Sequence, residues 1–378
     1  MKLDKLCILF TDGDWIESKD QSDSGIRLIQ TGNIGNGEFL YKNDKAKYIS
    51  VDTFKRLNCK EVFPNDILVS RLPEPVGRGC IIPDIGEKMI TAVDCTICRI
   101  NENLVDRKYF CYFLESNAYK TQLEQHVTGT TRKRISRKNL SSVEIDIPEQ
   151  AKQKEVVYKL DRLKKIIQNY NRELDLLDEL VRARFVEMFG DPVINSCQFP
   201  VQPMTDICDI IDGDRGKNYP KSEEILDDGY CLFLNAKNVT QKGFDFENCN
   251  FITREKDDAL RNGKLSRGDV VLTTRGTVGN LAYYSKNVPY ENIRINSGMV
   301  ILRMNRSILN EIYFIELFKM KLSDIKEKIA SGSAQPQLPI STMNKIILMI
   351  PPLELQNQFA SFVKEIDKSG SNCFIQQS

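Results

Sequence analysis

The sequence predicts an α+β protein built twice, with two α/β globular parts of similar fold, pseudo-twofold symmetric, each followed by a long helix. Three observations lead there: an unbroken heptad-patterned stretch in mid-chain, an internal repeat that returns after 203 residues, and the same order of strand-like and helix-like segments in each half.

The stretch from Glu149 to Phe189 reads as one helix. Its apolar side chains at Val156, Leu160, Leu163, Ile167, Tyr170, Leu174, Leu177 and Val181 alternate steps of four and three, the seam of a coiled coil. No Gly or Pro interrupts it, while Pro148 ahead and Gly190-Asp191-Pro192 behind mark its ends. At 1.5 Å per residue, roughly 40 residues span about 60 Å. One core of ordinary size cannot cover that length, so the seam needs a partner helix. Read alone, the stretch is a solvent-exposed dimerisation rod.

The repeat supplies the partner. Ile147-Pro148 recurs as Ile350-Pro351, and the same 203-residue shift pairs Val143 with Ile346, Ile145 with Leu348, Gly129 with Gly332, and Asp66 with Asp269. It also pairs Ile67-Leu68-Val69 with Val270-Val271-Leu272, and Val156, Leu160 and Leu163 with Phe359, Val363 and Ile366. With small slips, Asp12-Gly13-Asp14 matches Asp212-Gly213-Asp214 and Asn33-Ile34 matches Asn238-Val239. The predicted organisation is a globular part over residues 1-148, a central helix over 149-190, a second globular part over 191-352, and a shortened helix over 353-378 that Gly370 should end early.

Within the first part, Trp15, Ile16, Gly25 to Ile29 and Asn33-Ile34 suggest short strands between Asp, Ser and Gly turns. Asn65-Asp66 opens a buried strand Ile67 to Ser70, Cys80 to Ile82 and Ala92 to Ile100 supply two more, and Asp106 to His126 turns helical with Tyr109, Phe113, Ala118 and Leu123 facing a core. Val143 to Ile147 alternates as a strand before the rod. The second part repeats this order through Cys231 to Leu234, Asp269 to Leu272, Gly298 to Met304, a helix near Asn310 to Ile329, and Ile346 to Ile350.

A chain of 378 residues with 41% hydrophobic content fills two cores. Its N-terminal apolar run is too short to span a bilayer and lacks the marks of a signal peptide, so the chain reads as cytoplasmic with no membrane partner. Eleven cysteines, odd in number and irregular in spacing, with Cys95, Cys98 and Cys231 in strand-like runs, read as reduced thiols packed as small hydrophobes. Cys95-Thr96-Ile97-Cys98 has the spacing of a zinc knuckle, but no second pair follows and the single histidine, His126, lies far downstream. No metal site is expected.

A net charge of +1 argues against a generic polyanion binder, so any nucleic-acid role depends on local placement of charge. The strongest local excess is Arg132-Lys133-Arg134-Ile135-Ser136-Arg137-Lys138, whose plain alternative is a solvated face. Catalytic patterns are missing. Gly213 to Asn218 lacks the spacing and hydroxyl of a phosphate-binding loop, and no Asn/Asp-Pro-Pro-aromatic loop of an amino-methyltransferase occurs. Pro83-Asp84 with Glu87-Lys88 sits within one turn, unlike a metal nuclease signature, and hydrolysis lacks an acid cluster to go with the lone histidine. No catalytic residue is expected on this chain.

Taken in order, several segments resemble the specificity subunit of Type I restriction-modification systems. They are Gly13 to Lys19, Leu28 to Ile34, Asp66 to Arg71 with Val76-Gly77, and the Ile147-Pro148 entry to a helix. Leu234 to Val239, Gly268-Asp269-Val270 with Arg275 to Gly279, Ser331 to Leu338, and Ile350 to Glu354 repeat the pattern. The resemblance covers nearly the whole chain. It implies two target recognition domains, each reading one half of an interrupted site in double-stranded DNA, joined by two long antiparallel coiled-coil helices that set the spacer. It further implies a non-catalytic subunit that recruits two methyltransferase subunits and restriction (motor-nuclease) subunits. S-adenosylmethionine, ATP and magnesium belong to those partners, and no cofactor to this chain.

Under that resemblance the candidate DNA contacts are polar or cationic loop residues. In the first domain they are Lys19, Gln30, Asn33, Arg71, Arg78, Arg132, Lys133 and Arg134; in the second, Arg215, Lys217, Asn235, Lys237, Arg275, Gln335 and Gln337. Arg, Asn and Gln suit base edges, whereas Lys mainly positions phosphates. Asp66 and Asp269 are read as turn residues opening a buried strand. The helix-pairing set is the seam from Val156 to Val181 together with Phe359, Val363 and Ile366.

Overall fold

The computed structural model describes residues 1–73, 75–129, 132–330 and 337–375, and their side chains apart from 323–330 and 367–375. The chain divides into two compact units, Met1–Asn169 and Tyr170–Ser378.

The strands that build the first unit are β1 (Cys7–Asp12), β2 (Ile26–Ile29), β3 (Ile67–Ser70), β4 (Gly79–Ile81), β5 (Met89–Thr91) and β6 (Cys95–Ile100). An antiparallel sheet runs in the order β1-β6-β3-β4. A second sheet is centred on β2 and β5, which pair in parallel. Successive side chains on a strand point to opposite faces. Ile67, Val69 and Cys98 therefore enter a core beneath helices α1 (Arg107–Glu115) and α2 (Asn117–Glu124), while Leu68, Cys95 and Ile97 enter a core with Ile29 and Met89 of the second sheet. A sheet covered on both faces needs continuous apolar strands, which is why Ile67 to Val69 reads as an unbroken run.

The same alternation separates Cys95 from Cys98, which face different cores. Burial pushes the Cys95 thiol up to about 12.

One sequence expectation fails between Asp106 and His126. The helix there is two helices, because the Ser116 hydroxyl accepts the Tyr119 N–H at 3.2 Å and caps a new start. The break resets the phase, so Phe110, Cys111, Leu114, Tyr119 and Leu123 are buried and Ala118 is exposed.

Helix α3 (Gln150–Phe189) is a single 40-residue rod. The second unit then repeats the first with β7 (Cys208–Asp212), β8 (Cys231–Leu234), β9 (Val270–Thr273), β10 (Leu281–Tyr283), β11 (Ile293–Ile295) and β12 (Met299–Met304). The antiparallel order β7-β12-β9-β10 reproduces the first sheet, and β8 and β11 reproduce the parallel pair. Helices α4 (Glu311–Ala330) and α5 (Leu353–Ile375) follow. Gly370, expected to stop α5, lies inside it. A lone Gly costs about 1 kcal/mol relative to Ala in a helix interior and does not by itself end one.

Two pairs of polar side chains lock the repeat. Asp66 accepts Nε and Nη2 of Arg99, both at 2.8 Å, and the Phe63 N–H at 2.9 Å. Asp269 accepts Nε and Nη2 of Arg303 at 2.9 and 2.8 Å and the Ser266 N–H at 2.7 Å. Both aspartates are structural, as their place at the mouth of a buried strand predicts. Gln153, in the first turns of α3, accepts the Asp106 N–H at 2.7 Å and donates to the carbonyls of Leu104 and Pro148 at 3.2 and 2.8 Å. Gln356 of α5 does the same with Asn310 N–H at 2.9 Å and the carbonyls of Ile308 and Pro351 at 3.0 and 2.8 Å. Both glutamines are fully buried. The sequence reading overlooked them, although the 203-residue shift pairs them.

Each unit holds one part of the rod. In the first, Asp161 binds Lys108 at 2.6 Å and the Tyr112 hydroxyl at 2.7 Å, Val157 is buried, and Val156 and Leu160 are half-buried. In the second, Val181, Phe185 and Phe189 share a core with Phe359 and Val363, and Ile366 packs against it. Phe189 and Phe185 meet Phe359, and Arg184 stacks on Phe362, so the contacts on α3 and α5 run in opposite directions. Along the middle of the rod, Leu163 and Ile167 are exposed and Tyr170, Leu174 and Leu177 are half-buried.

Candidate nucleic-acid interface

In both units the chain leaves the first strand of the main sheet through an Asp-Gly-Asp turn. A Cβ on Gly13 would stand 2.3 Å from the Thr91 carbonyl oxygen, and one on Gly213 2.2 Å from that of Asn296. Only glycine fits so close to backbone. The second aspartate then caps a neighbouring loop: Asp14 accepts the Lys60 N–H at 2.7 Å, and Asp214 the Arg261 N–H at 2.6 Å. The first aspartate stays at the sheet end, where a later loop crosses it. Ile135 N–H donates to the Arg71 carbonyl at 3.1 Å in one unit and Leu338 N–H to the Thr274 carbonyl at 3.0 Å in the other.

These equivalent sheet ends carry different side chains. Around Asp12 stand the Thr96 hydroxyl at 2.9 Å, Arg71 Nε at 3.3 Å and Arg137 Nη1 at 3.7 Å, with Lys60 Nζ on the Asp12 carbonyl at 3.1 Å. Around Asp212 the cation is Arg215, at 3.0 Å. A cavity of about 240 Å³ opens there, lined by Asp212, Arg215, Thr274, Arg275, Gln337 and Ile340 among others. Arg275 and Gln337 also pair through their backbones. Three of the candidate DNA contacts therefore meet in one place in the second unit.

In the first unit the candidates divide. Arg132, Lys133 and Arg134 are exposed on the loop that leads into Ile135, beside the Asp12 cluster. Lys133 also borders a second cavity of about 360 Å³, formed with Gly77, Leu114, Tyr119 and Leu123. Lys19 is exposed and pairs with Glu17 at 2.7 Å. Arg71 spends its Nη1 and Nη2 on the carbonyls of Ile135 and Val93 at 3.2 and 2.6 Å. Arg78 is bound by four carbonyls, those of Ile34, Thr31, Pro73 and Pro75, at 2.7 to 2.9 Å. Asn33 is buried, accepts the Gln30 N–H at 3.0 Å and donates to the Leu40 carbonyl at 2.9 Å. The Gln30 to Asn33 turn has its counterpart in the second unit, where Asn238 accepts the Asn235 N–H at 3.0 Å. Asn235 accepts the Lys237 N–H at 2.9 Å, and Lys237 and Lys217 are exposed. Gln335 lies outside the described residues.

The sequence reading passed over Asp12 and Asp212 as site residues, and with them Thr96 and Lys60. The repeated Asp-Gly-Asp was visible, but nothing in one sequence says which loop crosses it. Arg137 lay in the basic run without being singled out. Among the described residues no group of three or more His, Cys, Asp or Glu is placed to hold a metal ion, and no helix is long and apolar enough to cross a membrane.

The sequence matches the Type I restriction modification DNA specificity domain over residues 1–178 and again over 199–372. It is 22% identical over 366 residues to the Type I restriction enzyme MjaIX specificity subunit of Methanocaldococcus jannaschii, covering 92% of this chain and 81% of that one. A putative Type I restriction enzyme MjaX specificity subunit of the same organism is 20% identical over 371 residues, covering 92% and 78%. In fold, the chain is similar to the crystal structure of the Type-I restriction-modification system S subunit from M. genitalium, with a TM-score of 0.51 at 16% identity over 98% of this chain and 90% of that one. Two specificity domains, matched in tandem across nearly all of the sequence, place the chain in the Type I restriction-modification DNA specificity family, as a specificity subunit.

Proposed function

We propose that each unit reads one half of an interrupted site in double-stranded DNA through the loop end of its main sheet, with α3 and α5 setting the distance between the halves. The observation that carries this reading is the pair of equivalent sheet ends, one framed by Arg71, Arg137 and the Arg132 to Arg134 loop, the other by Arg215, Arg275 and Gln337. A common frame with exchanged side chains is what two readers of different sequences require. Exposed Arg132, Lys133, Lys19, Lys217 and Lys237 supply phosphate contacts, and Gln335 and Gln337 base contacts. Gln30, Asn33, Asn235, Arg71 and Arg78 shape the reading loops from within.

Catalysis falls to partners: two methyltransferase subunits that use S-adenosylmethionine on adenine, and motor-nuclease subunits that use ATP and magnesium. Mapping methylated adenines in the host genome with and without this gene tests the proposal. Loss of one asymmetric, interrupted motif is the expected result. An unchanged methylation pattern in a host whose methyltransferase subunits remain active would overturn it.

A further inference from the structure

We infer that Trp15 is a DNA-contacting, specificity-determining residue of the first unit, occupying the position that Arg215 holds in the second. The inference rests on the reading of each unit as a DNA reader. Trp15 is the only tryptophan of the chain. It follows Asp12-Gly13-Asp14 as Arg215 follows Asp212-Gly213-Asp214, and the two turns are held alike, by a glycine against backbone and an aspartate on a neighbouring amide. Trp15 and Arg215 therefore take the equivalent chain position, directly after the turn at each sheet end.

What differs is the work left for it. Arg215 neutralises Asp212, because the position of Arg71 is taken in the second unit by Thr274, whose hydroxyl donates to the Gly298 carbonyl at 3.0 Å, and that of Arg137 by Ile340. In the first unit Arg71 and Arg137 already lie within ion-pair distance of Asp12, and the Thr96 hydroxyl donates to it. Trp15 is released from that task. It stands 71% exposed, with one long hydrogen bond from Nε1 to Glu17 at 3.4 Å.

The indole leaves a broad apolar face open to water at this sheet end. An aromatic ring of this kind removes on the order of 150–250 Å² from water when covered. Guanidinium and ammonium groups hold phosphates, whereas a flat apolar face on a duplex packs against sugars or touches a thymine methyl. Trp15 has no charge, so its contribution is independent of counterion release, whereas that of Arg215 is not.

The single tryptophan makes the test direct. The full chain is titrated with duplexes enriched from a randomised pool by binding to it, following tryptophan emission and the anisotropy of labelled duplex together. Emission should change and saturate with the anisotropy. Trp15→Ala should weaken binding about tenfold, the size of one good contact to a base pair, with an unchanged salt slope. Arg215→Ala should reduce the slope by about one. Duplexes re-enriched by Trp15→Ala should lose sequence preference in one half only, and circular dichroism checks that the exposed substitution leaves the fold intact. If anisotropy rises while emission, affinity and preference stay as they were, Trp15 is a solvated side chain and the inference fails, though the reading of the unit stands. If no duplex binds, the DNA reading itself fails and the inference with it.

Discussion

The two units agree in backbone frame and differ in how they neutralise buried charge. Both place a four-stranded sheet between a helical core and a parallel strand pair, and both lock a strand with an Asp–Arg fork and a helix entrance with a glutamine. On the parallel pair, however, the buried arginine changes strand. Arg27 lies on β2 and finds neutral partners, the Tyr41 carbonyl at 2.9 Å and the Tyr48 hydroxyl at 3.3 Å. Arg294 lies on β11, where it pairs with the fully buried Asp257, which Lys264 also binds. Burial alone would raise the Asp257 carboxyl, but hydrogen bonds from Lys264 and Arg294 outweigh it and hold the group below the usual range. Positions that fix the frame are repeated, and positions beside it drift as long as each buried charge keeps a partner.

The largest test of this contrast is Asp257→Ala. It leaves Arg294 buried with only carbonyl partners, at a cost of about 3–5 kcal/mol. Hydrogen exchange should then accelerate by about a hundredfold or more in β8 and β11, with β2 and β5 unchanged. Uniform acceleration across both units would mean that they do not unfold independently, and the contrast between them would lose its basis.

A smaller effect tests what the units share. Gln153→Leu and Gln356→Leu each strand one buried N–H and two carbonyls at a helix entrance, and each should lower stability by about 2–3 kcal/mol. Urea unfolding of the two variants should give losses within about 1 kcal/mol of each other. If one substitution proves neutral, that joint is held by something else and the entrances are not equivalent.

How far the sequence discloses this molecule follows from the range of each interaction. The rod, the repeat and the doubly covered strands are periodic or covalently local, so Val156 to Val181 and Ile67 to Val69 reveal them directly. The Ser116 break was missed because one cap outweighed a helical pattern that runs through it. Among candidate contacts, Arg78 and Arg132 look alike in sequence. One meets four carbonyls and the other is exposed, and two of those carbonyls, of Ile34 and Thr31, lie 44 and 47 residues away. Trp15 reads in sequence as a strand residue, since its release depends on Arg71 and Arg137, both far along the chain.

The smallest effect compares Asp14 with Asp214. Burial raises the Asp14 carboxyl, and the Lys60 amide and charge recover only part of the shift, so it lies above its ordinary 3.8. Burial also acts on Asp214, but amides of Arg261, Asn262 and Arg215 with the charge of Arg261 outweigh it, and it lies below 3.8. The signs follow by linkage. Asp214 adds stability that is present above its unfolded value and lost as pH falls through the folded one. Asp14 in the fold holds its proton more tightly than in the unfolded chain, so its ionisation removes stability as pH rises through the folded value. Carboxylate NMR titration should place the two groups on opposite sides of 3.8. The stability deficit of Asp214→Asn should shrink on acidification, while Asp14→Asn should show its smallest deficit, or a gain, at neutral pH. Two groups titrating on the same side would mean that the loops above Lys60 and Arg261 solvate their aspartates alike, and that the units diverge only in the side chains they present.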